Sequence, residues 1–308
     1  MKLHGIHHVT AVTADAARNH DFYTRTLGMR LVKRTVNQDD VSAYHLFYAD
    51  GAGTPGTDLT FFDWPVARET RGTNSIVRTG LRVGSAASLE WWRRRLGSAS
   101  PVSERDGKDV LDFEDPEGQR LSLIVDDEPA TAVWERSPVP PEHQIRGLGP
   151  VLVSVRKIAS TDRILHELLG FELVRSYECT ARETNVYRCG SDPGAAREIH
   201  VVAEPDAPPA RQGAGGVHHL ALRTTQSDYD AWARHLAESG IPNSGPVDRF
   251  WFRSLYFRDP NGILFEIATD EPGFATDEPA DKLGDTLSLP PFLEPRRREI
   301  EAGLKPLA

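Results

Sequence analysis

Apolar and β-branched residues gather along this chain in short runs, each followed by a stretch in which apolar positions recur at helical spacing. Three such runs are His7-His8-Val9-Thr10-Ala11-Val12, Val151-Leu152-Val153-Ser154-Val155 and His218-His219-Leu220-Ala221-Leu222. After the first, Ala17, His20, Tyr23 and Leu27 repeat at steps of three and four; after the second, Ile164, Leu165, Leu168 and Leu169 do the same. Each helical stretch closes on a glycine, which enters the left-handed region without a Cβ penalty. His8 to Gly28 is 20 residues, Pro150 to Gly170 is 20, and His219 to Gly240 is 21. A further copy starts near Thr79, and its helix, with Leu89, Trp92 and Leu96, ends on Gly97. Turn-bounded strands follow, such as Tyr44-His45-Leu46-Phe47-Tyr48 then Leu59-Thr60-Phe61-Phe62, and Leu255-Tyr256-Phe257 then Ile263-Leu264-Phe265-Glu266-Ile267. The pattern predicts a β-α-β-β-β unit repeated four times, an α+β chain.

Two turns share a word, Asp115-Pro116-Glu117-Gly118 and Asp259-Pro260-Asn261-Gly262, and so align the second copy with the fourth. The resulting division is module 1 over 1–66, module 2 over 74–127, a proline-punctuated linker over 128–146, module 3 over 147–204, module 4 over 215–270 and a tail over 271–308. The tail is expected to wrap over the modules, because Phe274, Leu287, Leu289 and Phe292 need a place to be buried. Trp91-Trp92 reads as helix packing.

The length of 308 residues suits about two domains of roughly 150 each. A hydrophobic share of 39% is that of an ordinary globular chain. The net charge of −9 argues against a phosphate backbone or an anionic membrane surface as main partner. There is no apolar run of bilayer length and no signal-like N-terminus, so a cytoplasmic setting is expected. Cys179 and Cys189 lie ten apart in one expected hairpin; reduced thiols are the simpler reading, although spacing alone leaves a disulfide open.

Aligning the copies isolates candidate chemistry. At one first-strand position they carry His8, Thr79, Pro150 and His219; four residues past the shared turn, Ser122 stands where the fourth copy has Glu266. A strand with Leu264, Phe265 and Ile267 has no packing reason for a carboxylate, and an unpaired buried charge costs several kcal/mol, so Glu266 needs a cation or donors. Two imidazoles and one carboxylate form the facial triad of non-haem iron(II), so His8, His219 and Glu266 are candidate ligands of one divalent metal. The plain alternative is that both histidines are satisfied core residues and that Glu266 pairs with an arginine such as Arg249.

The copies, the word Phe22-Tyr23-x-x-x-Leu27-Gly28, the His-His pairs and the Asp259-Pro260-Asn261-Gly262 turn with Glu266 together resemble the vicinal oxygen chelate superfamily of glyoxalases, bleomycin-resistance proteins and extradiol dioxygenases. Val32-Lys33-Arg34-Thr35-Val36-Asn37, Tyr44-His45-Leu46-Phe47-Tyr48-Ala49-Asp50, Gly53-Thr54-Pro55-Gly56-Thr57, Leu89-Glu90-Trp91-Trp92 and Gly273-Phe274-Ala275-x-Asp277-Glu278 resemble its hydroquinone-cleaving dioxygenases. The resemblance implies that His8, His219 and Glu266 hold iron(II), with manganese(II) as the alternative, and that His7, His218, Arg249 and Tyr256 stand behind the ligands, near the substrate. It implies two cup-shaped half-barrels, and since ligands from modules 1 and 4 must meet at one metal, those modules share one cup. Strand alternation sets His7 and His218 on the opposite face or at the lip unless a bulge intervenes. The implied partners are a small aromatic substrate and O2, with no nucleic acid or membrane. A glyoxalase-type isomerase or thiol transferase, or a non-catalytic binder, remains as an alternative. Ring substituents, hydroquinone against catechol, and homo-oligomer formation stay open.

Overall fold

The four repeats appear as four units in the computed structural model, which describes every residue except 130, 180, 192, 193 and 308. Module 1 holds β1 (Ile6–Thr13), α1 (Ala16–Asp21, widening into a π turn over Phe22–Thr26), β2 (Arg30–Asn37), β3 (Asp40–Ala49) and β4 (Asp58–Asp63). Module 2 holds β5 (Ser75–Val83), α2 (Ala86–Leu96), β6 (Ser103–Arg105), β7 (Lys108–Glu114) and β8 (Arg120–Val125). Module 3 holds β9 (Leu148–Val155), α3 (Ile158–Arg163, with a π turn over Ile164–Leu168), β10 (Phe171–Cys179), β11 (Arg182–Cys189) and β12 (Glu198–Ala203). Module 4 holds β13 (Val217–Thr224), α4 (Gln226–Glu238), β14 (Val247–Asp248), β15 (Arg253–Arg258) and β16 (Leu264–Thr269); α5 (Arg297–Gly303) ends the tail.

The modules pair as outer with outer and inner with inner. One eight-stranded curled sheet runs β14-β15-β16-β13-β1-β4-β3-β2, the other β10-β11-β12-β9-β5-β8-β7-β6. The seams are the antiparallel pairs β1 with β13 and β5 with β9. Both strands of the first seam are hydrogen-bonded on both edges, which suits their near-continuous burial.

The shared turns dock one sheet on the other. Asp115 accepts backbone N–H bonds from Glu117 and Gln119 at 2.9 and 2.8 Å, and its other oxygen lies 3.2 Å from the Tyr23 hydroxyl that donates to it from module 1. Asp259 correspondingly accepts from Ile263 N at 2.8 Å and from the Thr161 hydroxyl of module 3. The linker packs on module 1: at Gly28 (φ +69°) a Cβ would lie 2.5 Å from Ser137 and Val139 atoms, so the helix end and the linker both require glycine there.

Two expectations change, and the cysteine reading is decided. Phe274, Leu287 and Leu289 are buried, but Phe292 is 61% exposed. The β10–β11 register sets Cys179 opposite Arg182 and Cys189 opposite Phe171, at opposite ends of the hairpin, so the two do not form a disulfide, in line with the expected reduced thiols. Position 79 is not the counterpart of His8. Parallel pairing sets Thr10 opposite Thr60 and Gly80 opposite Ser122, so His8 corresponds to Arg78, one residue earlier than the sequence spacing suggests. Among the described residues no helix is long and apolar enough to cross a membrane.

Candidate metal centre

His8 on β1, His219 on β13 and Glu266 on β16 reach the same point from three adjacent strands of the first sheet, and all three are buried. His8 Nε2 lies 3.2 Å and His219 Nε2 2.9 Å from Glu266 Oε2, and the two nitrogens are 3.3 Å apart. Three ligands on one face of an octahedron with bonds of about 2.1 Å stand about 3.0 Å apart. Glu266 Oε1 is satisfied by the Ser254 hydroxyl, whereas the buried Oε2 accepts no hydrogen bond. The three atoms converge on a common point, and the cluster can hold a divalent metal. Arg249 does not supply the cation for Glu266; it pairs with Asp39 at 2.9 Å. Burial alone would raise the Glu266 carboxyl, but His8 and His219 outweigh it and hold the group well below the usual carboxylate range.

Bulges bring the neighbouring histidines to the site. Along the β1–β13 seam, Ile6 faces Leu222 and His8 faces Ala221, so His7 is an extra residue on β1; Thr10 faces His219 and Ala11 faces Val217, so His218 is an extra residue on β13. Neither ring turns away as plain alternation requires. His7 Nδ1 lies 2.8 Å from His8 Nδ1, and His218 Nδ1 lies 2.8 Å from His219 Nδ1. For Nε2 to ligate a metal, each inner imidazole carries its proton on Nδ1 and donates it to the outer ring. Burial, helped by the neighbouring imidazole, pushes His7 and His218 down to about 3, so both outer rings are neutral.

A cavity opens over the triad. Phe47, Phe62, Trp251 and Phe252 give it aromatic walls, and Phe252 packs on His7 and His8 at centroid distances of 5.7 and 5.5 Å. Tyr256 faces Glu266 across the β15–β16 ladder, and its ring lies 5.8 Å from that of His219. Arg249 Nε is 3.4 Å from the Tyr256 hydroxyl. Burial and the Glu266 charge push the Tyr256 phenol above its ordinary value, which keeps it protonated. Of the candidate site residues, His8, His219, Arg249 and Tyr256 line this cavity, Glu266 meets the two ligating imidazoles, and His7 and His218 stand against those imidazoles without lining the cavity.

Sequence reasoning missed Asn37, Gln38 and His45, which also line it. His45 Nε2 is 3.1 Å from Thr60 Oγ1, which lies 2.8 Å from Thr10 Oγ1, itself 2.9 Å from His219 Nε2. Burial pushes the His45 imidazole well below its ordinary value. A lone histidine on a β3 run of apolar residues carries no spacing signal, although alternation with Phe47 on the same face could have pointed to it.

The sequence pattern of the Glyoxalase/Bleomycin resistance protein/Dioxygenase superfamily matches residues 5–63 and 147–267. The chain is 47% identical, over the whole of both proteins, to MhqA of Bacillus subtilis, whose name provisionally makes it a ring-cleaving dioxygenase. It is 30% identical to the chlorohydroquinone/hydroquinone 1,2-dioxygenase of Sphingobium indicum, over 97% of this chain and 95% of that one. A crystal structure of a Bacillus subtilis protein, provisionally named a dioxygenase, superposes with a TM-score of 0.91 at 35% identity, covering 99% of this chain and 97% of that one.

Proposed function

The chain belongs to the Glyoxalase/Bleomycin resistance protein/Dioxygenase superfamily, and from that premise we propose that it is a non-haem iron(II)-dependent dioxygenase that opens the ring of hydroquinones or related hydroxylated aromatics with O2. The observation that carries this reading is the open side of the triad. Three ligand atoms 2.9–3.3 Å apart converge beneath an aromatic-walled cavity that is open to a small ring substrate.

Iron(II) held by His8, His219 and Glu266 would supply Lewis acidity towards a phenolic oxygen and electron-transfer chemistry towards O2, with manganese(II) as the alternative occupant. The chain's own residues do the rest. Phe47, Phe62, Trp251 and Phe252 exclude water and orient a ring by its faces. Tyr256, kept protonated, donates to oxygen as negative charge develops there, and Arg249, charged and anchored on Asp39, stabilises the same charge. His7 and His218 hold the ligating imidazoles in the tautomer that leaves Nε2 free to ligate. Hydroquinone differs from catechol in carrying its second hydroxyl across the ring, so Asn37, Gln38 and His45 are the groups placed to distinguish them.

An isomerase or thiol transferase on this scaffold usually takes a fourth protein ligand or a base carboxylate. Among the described residues the cluster has three members, and Thr60, at the position matching Glu266, is engaged with Thr10 and His45. This favours the dioxygenase.

The test is oxygen uptake by anaerobically purified, iron(II)-loaded protein given hydroquinone, methylhydroquinone or catechol, with metal content measured in parallel. Ring-dependent uptake of one O2 per ring at about one iron per chain is expected. A bound metal with no uptake on any ring sinks the reading in favour of the isomerase.

A further inference from the structure

The second sheet has a concave face of its own. The parallel pairings β9–β12 and β5–β8 set Leu152 opposite His200 and Gly80 opposite Ser122, as β13–β16 sets Ala221 opposite Glu266. By this register Arg78 replaces His8, Pro150 replaces His219 and His200 replaces Glu266. Asp106, Glu198 and His200 lie close enough to suggest another cation site, but the Arg175 guanidinium already bonds both carboxylates, at 2.5–3.0 Å from Asp106 and 2.7–2.8 Å from Glu198. Where one sheet gathers ligands for an exchangeable cation, the other has fixed guanidiniums.

Their charges are incompletely matched on the flank of this face, where a groove of about 1150 Å³ opens to solvent. Arg71, Arg78, Arg105, Arg120 and Arg182 line it, together with two carboxylates, Asp112 and Glu204. Arg78 and Arg105 share Asp112, at 3.2 and 2.5 Å. Arg182 pairs with Glu204 at 3.2 Å, and Arg71 with Glu114 at 2.8 Å. Arg120 makes no ion pair among the described residues; burial and the Arg71 charge push its guanidinium down, against the opposing charges of Glu69, Glu114 and Glu204. Two guanidinium forks thus lack a carboxylate of their own, on a chain whose net charge is −9. Val77, Leu152, Val202 and Pro208 give the groove an apolar side.

We propose that this groove is a second binding site, for a small molecule bearing a phosphate or carboxylate oxyanion. Arg120 and the Arg78–Arg105 pair receive the oxyanion, and the apolar wall takes the remainder of the ligand. A planar fork binds such an anion bidentately, which relieves the like-charge crowding at Arg120 as well as satisfying the ligand. The site does not depend on the metal centre.

Titration calorimetry on the iron-loaded protein tests this, with phenyl phosphate and succinate as separate probes. At least one probe should saturate, and which one does so identifies the headgroup. Its affinity should fall with added NaCl and drop about tenfold or more in Arg120→Gln, and further in Arg120→Gln/Arg105→Gln, with iron content unchanged. Arg120→Lys should recover part of the loss, and Glu266→Gln, which disturbs only the first sheet, should bind the probe as the parent does. Saturation by neither probe, an unchanged affinity in Arg120→Gln, or loss of binding in Glu266→Gln would overturn the proposal.

Discussion

Glu266 has no solvent exposure, yet it is held ionised because two imidazoles and a hydroxyl surround it. Glu266→Gln keeps the volume and removes the anion, so metal affinity should fall by at least about a hundredfold, read as metal content after dialysis against a weak chelator. Tyr256→Phe should retain the metal and lose about a hundredfold in kcat on hydroquinone; unchanged turnover would remove the phenol from the proton chemistry. The outer histidines set a pH limit. His7 and His218 titrate at about 3 in the fold against 6.5 in the open chain, so below 6.5 the unfolded state takes up protons that the fold refuses. Stability of the metal-free protein should be level above about pH 6.5 and fall by about 1.4 kcal/mol per pH unit for each histidine below it. Urea midpoints measured from pH 7 to 4.5 would show this. Glu266 was legible in the sequence because a carboxylate in an apolar strand demands a reason; His45 was not, because a strand histidine has many ordinary ones.

Among the elements, the bulges show where a local rule gives way. Period-two alternation sends His7 and His218 to the face opposite their neighbours, and one extra residue on each strand brings both back. The tail makes the second case. The fully buried Lys33 of β2 reaches Asp277, at 2.8 Å, and Glu278, and Asp277 also accepts from Trp251 Nε1 at 2.8 Å. Trp251 and Phe252 form part of the cavity wall, so this ion cluster ties the tail to the site. Lys33→Met strands two carboxylates, and it should cost about 3–5 kcal/mol in urea unfolding and raise KM for the ring substrate. A neutral effect on both would show that the tail is not what holds that wall.

For the molecule as a whole, the seam between β1 and β13 joins the two ends of the chain, so neither half contains a complete site. A fragment of residues 1–146 should bind no metal tightly, lacking His219 and Glu266, whereas its mixture with 147–308 should recover metal content; tight binding by the first fragment alone would refute the shared site. The sequence by itself determined the β-α-β-β-β repeat, the glycine helix ends, the docking turns and the three ligand candidates, because apolar period, φ preference and burial of charge act over a few residues and leave a mark in the residue types. Only the tertiary structure decided the register that sets Arg78 against His8, the inward turn of His7 and His218, the exposure of Phe292, and the grouping of arginines on the second sheet. These depend on which distant strands pair and on the offset of that pairing, and a one-residue shift of register, which local sequence barely penalises, moves a side chain from one face of a sheet to the other.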